Sequence, residues 1–185
     1  MYKSKIIVFV AVLSVMILLS LSVLKSAGKK DIDNKEVQSA VIDKEVSKAP
    51  DFKLLNTEGK EVKLSDNKGK IVILDFWATW CVPCRKGIPD LIEIQKEYKN
   101  EVVIIGISLD QSNTINYVKP FMKQFGINYT VVYGTQQVII DYGNINAIPT
   151  SYIIDREGNI VYKFEGLMPK SVYVNRMNEL LKSKT

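Results

Sequence analysis

Two regimes of hydrophobic patterning divide the chain. Ile6 to Leu24 is an apolar run broken only by Ser14, Ser20 and Ser22. As a helix its roughly 19 residues would reach about 28 Å, close to the hydrocarbon thickness of a bilayer. Residues 25–49 are polar and charged and hold no aromatic residue, the composition of a flexible linker. From Ala49-Pro50-Asp51-Phe52 onward the pattern is that of a folded body, expected to occupy residues 50–185.

Within that body the periods are legible. Phe52 to Leu64 reads as a β-hairpin turning at Asn56-Thr57-Glu58-Gly59. Ile71 to Trp77 (IVILDFW) and Val102 to Ser108 (VVIIGIS) are near-continuous apolar runs, as in strands buried on both faces. Pro83 to Tyr98 reads as a helix with Ile88, Leu91, Ile92 and Ile94 on its apolar side and a kink expected at Pro89. Asn116 to Phe125 reads as a second helix, interrupted at Pro120. A short strand over Tyr129 to Tyr133 and a helical turn over Gln137 to Tyr142, ending at Gly143, follow. Ser151 to Ile154 and Ile160 to Phe164 make a hairpin around Asp155-Arg156-Glu157-Gly158-Asn159, and Ser171 to Leu181 closes as an amphipathic helix. Strands alternating with helices predict an α/β fold, a central sheet with parallel strands and helices on both faces.

Charge and composition narrow the chemistry. The net charge of +5 is spread along the chain without a basic stripe, so no nucleic-acid partner is expected. The sequence contains no His, which removes Ser–His catalysis and His-ligated metals. Its two Cys lie three positions apart, too few ligands for a structural zinc site. No metal is therefore expected, and no cofactor beyond a redox disulfide between Cys81 and Cys84.

Two readings fit the N-terminal run. Lys3 and Lys5 precede it as in a signal peptide, but the run is long for one, and Lys25-Ser26-Ala27-Gly28 is a poor cleavage site. An uncleaved signal-anchor over residues 1–24 is the favoured reading. Its orientation is not set by charge, because Lys25, Lys29 and Lys30 flank the other end.

Trp80-Cys81-Val82-Pro83-Cys84 falls between a buried strand and a helix. Cys81 then sits at the helix N-terminus, where free N–H groups and the helix dipole favour a thiolate. It is the expected nucleophile, the lower-pKa and more exposed thiol. Cys84, one turn on, is placed to resolve a mixed disulfide; an inert structural pair is the alternative. Pro83 is compatible with the first helical turn, which needs no N–H there. Asp75, on the strand leading into the motif, is either a buried general base for Cys84 with a raised pKa or an Asp at a solvated strand end. Ile148-Pro149-Thr150 is either an ordinary loop or a cis-proline turn whose backbone pairs with an extended peptide. Trp80, Pro83, Ile148 and Pro149 are the expected substrate contacts.

Phe76-Trp77-Ala78-Thr79-Trp80-Cys81-Val82-Pro83-Cys84-Arg85, Pro89, Ile148-Pro149-Thr150 and the Asp155…Gly158 hairpin together resemble the thioredoxin superfamily, most of all its membrane-anchored TlpA/ResA-type branch, over roughly Ala49 to Leu181. The resemblance implies a thioredoxin-like fold with a mixed central sheet, in which Asn116 to Tyr133 is an inserted helix and strand. It also implies a cis Pro149 facing the disulfide. A peroxiredoxin reading fails, because the P-x-x-x-T-x-x-C context is missing. Two departures stand out: the Glu that this branch often carries three residues after the second Cys is Gly87 here, and the Lys that often partners the thioredoxin Asp is replaced by Gly106, while Asp75 matches that Asp.

The expectation is a protein-disulfide reductase on the extracytoplasmic side of the cell membrane. Electrons would come from a transmembrane thiol donor, and an apocytochrome c disulfide would be the substrate. A disulfide-installing oxidase and a non-catalytic peptide-binding module are the alternatives.

Overall fold

The computed structural model describes residues 41–42 and 47–182. The expected anchor over 1–24 and most of the linker over 25–49 lie outside the described residues. Among the described residues, no helix is long and apolar enough to cross a membrane.

The elements run β1 (Val41–Ile42), β2 (Ser47–Lys48), β3 (Lys53–Leu55), β4 (Glu61–Lys63), β5 (Ile71–Trp77), α1 (Val82–Glu97), β6 (Val102–Ser108), α2 (Val118–Phe125), β7 (Thr130–Tyr133), α3 (Gln136–Asp141), β8 (Thr150–Ile154), β9 (Asn159–Glu165) and α4 (Lys170–Lys182). The main sheet has the order β1-β9-β8-β5-β6-β7, with β2 also on β9. β5, β6 and β7 are parallel, β8 runs antiparallel to β5, and β9 runs antiparallel to β8. This is the mixed sheet of a thioredoxin-like fold.

β5 is central, and all seven of its residues are buried, which is why its sequence is apolar throughout rather than alternating. Val72, Leu74 and Phe76 face one layer with Phe52, Leu54, Val138, Tyr142 and Tyr152. There the Phe76, Tyr142 and Tyr152 rings pack edge to face or tilted, with centroids 5.3–6.0 Å apart. The alternate residues Ile71, Ile73, Asp75 and Trp77 face the other layer, where Trp77 meets Phe121 of α2 and α1 packs against α4. Helices thus cover both faces, as the sequence predicts.

Two details differ from the sequence expectations. Sheet pairing starts before residue 50: β1 pairs with Phe164 and Lys163, β2 pairs with Ile160 and Asn159, and the Ala49 N–H donates to the Gly158 carbonyl at 3.0 Å. Pro120 does not interrupt its helix. A 3-10 turn over Ile115–Tyr117 leads into α2, so Pro120 lies in the first α-helical turn, where no N–H partner is required. α1 runs through Pro89, which lies inside the helix as expected.

Turn chemistry fixes the hairpins. Asp155 Oδ1 accepts from the N–H groups of Glu157 and Asn159 (3.0 and 2.7 Å), and Gly158 takes φ +81°. At the opposite edge of the sheet, the hairpin of β3 and β4 reaches β7 through an Asn56–Val132 bridge, and the Thr57 N–H donates to the Val131 carbonyl at 3.3 Å.

Candidate active site

β5 ends at Trp77, and the chain turns through Ala78, Thr79 and Trp80 into α1. Asp110, just past the end of β6, clamps this turn. Its carboxylate accepts from the Thr79 N–H (2.9 Å), the Thr79 hydroxyl (2.6 Å) and the Ser108 hydroxyl (2.9 Å). Only 6% of Asp110 is exposed, yet three donors surround its charge, which is how a buried carboxylate is tolerated. Asp110 was not a sequence candidate. The signal was topological: it follows the strand parallel to β5, and the C-terminal ends of adjacent parallel strands lie side by side.

Cys81 is the N-cap of α1, and Cys81 and Cys84 form a disulfide. Cys81 Sγ accepts from the Cys84 N–H at 3.2 Å, one of the helix's otherwise unpaired donors. In the reduced protein the same N–H would favour a negative sulfur. Arg85, on the next turn, is held over the stacked rings of Phe121 and Phe125 at 5.8 and 5.7 Å, so α2 anchors a positive charge near the motif.

The Ile148–Pro149 peptide is cis, and the Ile148 carbonyl oxygen lies 3.6 Å from Cys81 Sγ. Trp80 and Val82 are 59% and 61% exposed beside it, and Pro83 is exposed as well. Pro149 is buried and Ile148 half-buried. Sequence reasoning did not single out Val82, whose exposed apolar side chain in this position belongs to the same rim. Whole-residue exposure barely separates the two sulfur-bearing residues in the disulfide form, 4% for Cys81 and 3% for Cys84. Their surroundings do differ: Cys81 meets the rim, whereas Cys84 faces inward.

On that inner side, Cys84, Asp75, Gly87, Pro149, Met168 and Tyr173 line a cavity of about 10 Å³, roughly the room one water requires. Asp75 is 4% exposed, so the solvated strand-end alternative does not hold. A fully buried apolar side chain contributes on the order of 1.5–3 kcal/mol, whereas burial of Asp75 opposes its ionisation. Burial pushes its pKa up from 3.8 to about 7, against the pull of the Ser151 hydroxyl, which donates to Oδ1 at 2.7 Å. Asp75 forms no ion pair among the described residues.

The structure explains both departures at glycine. A Cβ on Gly106, the register neighbour of Asp75, would lie 2.9 Å from Trp77 Nε1, so the indole fills the room a longer side chain needs. A Cβ on Gly87 would lie 3.0 Å from Leu167 Cδ1, so Leu167 packs where a helix side chain would emerge.

Known proteins resemble this chain in sequence and in fold. The thiol-disulfide oxidoreductase ResA of Bacillus subtilis (strain 168) is 37% identical over 142 residues, covering 76% of this chain and 78% of that protein. ResA of Bacillus thuringiensis (strain Al Hakam) is 40% identical over 122 residues, covering 66% of this chain and 70% of that protein. A crystal structure of a thioredoxin-family thiol:disulfide interchange protein from Chlorobium tepidum TLS superposes with a TM-score of 0.67 at 33% identity, covering 76% of this chain and 99% of that one. The model of the AhpC/TSA family matches residues 46–163, more than half of the sequence, and takes in β5, both cysteines and the cis-proline turn. The chain belongs to the AhpC/TSA family, as a thioredoxin-like thiol–disulfide oxidoreductase.

Proposed function

We propose that the chain is a protein-disulfide reductase tethered to the cell membrane by its N-terminal helix, with its catalytic domain on the extracytoplasmic side. It takes electrons from a transmembrane thiol donor and spends them on oxidised C-x-x-C-H segments of apocytochrome c. The observation that carries the catalytic reading is the placement of Cys81 on an apolar rim beside the Ile148 carbonyl, where an extended peptide can lie. Similarity to ResA-type oxidoreductases supports it.

The chemistry is a two-electron exchange. The Cys81 thiolate attacks one substrate sulfur, a Cys81–substrate disulfide forms, and the second substrate sulfur leaves as a thiolate. Cys84 then attacks Cys81 Sγ, re-forms the Cys81–Cys84 disulfide and expels the first substrate sulfur. Cys84 must lose its proton to do so. Asp75 is the general base that takes it, directly or through one water in the shared cavity. Trp80, Pro83, Ile148 and Pro149 contact the substrate chain.

Direction depends on potential. A reductase should equilibrate nearer thioredoxin's potential, about −270 mV, than that of a disulfide-installing oxidant, about −120 mV. Redox titration against glutathione gives this number, and the reduced protein should reduce a C-x-x-C-H peptide disulfide. A potential at the oxidising end makes the chain an oxidase instead, and the absence of any exchange leaves only a peptide-binding module.

Topology has its own test. In intact cells, a membrane-impermeant thiol reagent applied after reduction should label Cys81. Labelling only after lysis would place the domain on the cytoplasmic side.

A further inference from the structure

Asp75 stands at the end of a chain of hydroxyl groups that the exchange chemistry has not yet used. Ser151, its register partner on β8, is fully buried and donates to Asp75 Oδ1 at 2.7 Å. The Ser151 oxygen is 2.9 Å from the Tyr173 hydroxyl on α4, and Tyr173 is 5% exposed. Serine has one proton. With that proton on Asp75 Oδ1, the Ser151–Tyr173 contact needs the tyrosine as donor. The chain therefore runs one way, from Tyr173 to Ser151 to Asp75. Oδ1 is occupied, and among the described residues no donor is bonded to Oδ2.

The geometry points to Ser151 and Tyr173 as positioning residues for the exchange: a serial hydroxyl chain that holds Asp75 by Oδ1, stabilises its carboxylate in a buried site, and leaves Oδ2 to trade the proton with Cys84. This rests on the reading of Asp75 as the base for Cys84. α4 is itself fixed to α1, because the Lys170 N–H donates to Asp90 Oδ2 at 2.9 Å, so Tyr173 is held on the same frame as Cys84. Among the described residues no cation competes for the role. Cys84 and Gly87 of α1, Gly106 of β6, Ser151 of β8, Tyr173 of α4 and the buried Tyr129 ahead of β7 surround Asp75. Asp90 acts on Tyr173 rather than on Asp75. With no lysine or arginine to favour the carboxylate, the two hydroxyl groups are what does.

The test is the titration of the Asp75 side-chain carboxyl, followed by carbon NMR, together with the pH–rate profile of resolution. Both are measured in Ser151→Ala, Ser151→Thr, Tyr173→Phe and the double variant Ser151→Ala/Tyr173→Phe. Loss of the serine hydroxyl should raise the Asp75 midpoint by about one pH unit, a tenfold change in its ionisation equilibrium. The rate midpoint should move with it. At pH 7 resolution should be roughly fivefold slower, with recovery at higher pH. Ser151→Thr should restore both midpoints. Tyr173→Phe should shift them the same way by less. Because Tyr173 acts through Ser151, adding Tyr173→Phe to Ser151→Ala should shift nothing further, whereas two independent packing defects would add. An Asp75 midpoint that stays put in Ser151→Ala overturns the hydroxyl chain and leaves Asp75 as base intact if Asp75→Asn still slows resolution. A midpoint that moves while the rate profiles of all variants, Asp75→Asn included, superimpose on the wild type overturns the base reading instead.

Discussion

Cys84→Ala should turn the protein from a catalyst into a trap. Cys81 still attacks, but the sulfur that would release the substrate is gone, so a covalent Cys81–substrate disulfide should accumulate close to stoichiometrically while turnover falls to background. The intact pair avoids this because Cys84 begins within one helical turn of the bond it must break, so its attack is intramolecular. Cys81→Ala should capture nothing, since Cys84 faces the inner cavity with Asp75 rather than the rim. Non-reducing electrophoresis of each variant after incubation with a disulfide-bonded peptide, followed by mass spectrometry of the adduct, reads the outcome. Capture by Cys81→Ala and not by Cys84→Ala would invert the assignment of the two sulfurs.

Asp75→Asn should slow resolution by about 10²–10⁴-fold, the usual contribution of a general base, while leaving the first attack of Cys81 nearly intact. The wild-type rate should rise with a midpoint near pH 7, where Asp75 ionises, and the variant should lack that limb. Stability carries an independent signature. The folded-state pKa is raised from 3.8 to about 7, so between those values the native protein holds a proton that the unfolded chain has lost. The contribution of Asp75 to stability is therefore fully present below about pH 4, falls as pH rises, and levels off once pH has passed about 7, with a total loss on the order of 4 kcal/mol. Asp75→Asn keeps an acceptor for Ser151 but has no charge to bury. Denaturant titrations of the oxidised variant should show a flatter pH dependence than the wild type and greater stability above pH 7. If the rate profiles superimpose between about pH 5 and 9, the proton leaves Cys84 by another route.

Much of this site was legible because its signals are local. The run IVILDFW marks a doubly covered strand, and a lone Asp within it is conspicuous against apolar neighbours. The spacing of Cys81 and Cys84 places both sulfurs on one helical turn. The hairpins announce themselves through Asn56, Gly59, Asp155 and Gly158. What escaped depends on partners far along the chain. Ser151 is an unremarkable strand residue until register sets it opposite Asp75, 76 positions away. Asp110 looks like any acidic residue after a strand until Thr79 arrives, 31 positions distant. β1 and β2 are two-residue strands held by backbone pairing, and backbone pairing leaves no side-chain period to read. Pro120 departs from expectation for a different reason: whether a proline breaks a helix depends on where the first turn begins, and a sequence pattern does not fix that boundary.

The residues that lie along the two margins of the sheet bear on how such a protein survives its own trade. A chain that handles extended, partly unfolded polypeptides is exposed to strands that would add to any bare margin and stay there. Here β9 is covered by the backbone of 41–42 and 47–48, and the four-residue β7 is met by Asn56 and Thr57. A visiting segment then finds few unpaired backbone groups along the sheet. On the function proposed above, the turn beside the disulfide is left as the place to dock, so a client that fails to react should have little to hold it and should leave. Removing residues 41–48 would uncover the longer of the two margins, and the cost would appear first as client-dependent clumping rather than as slower chemistry.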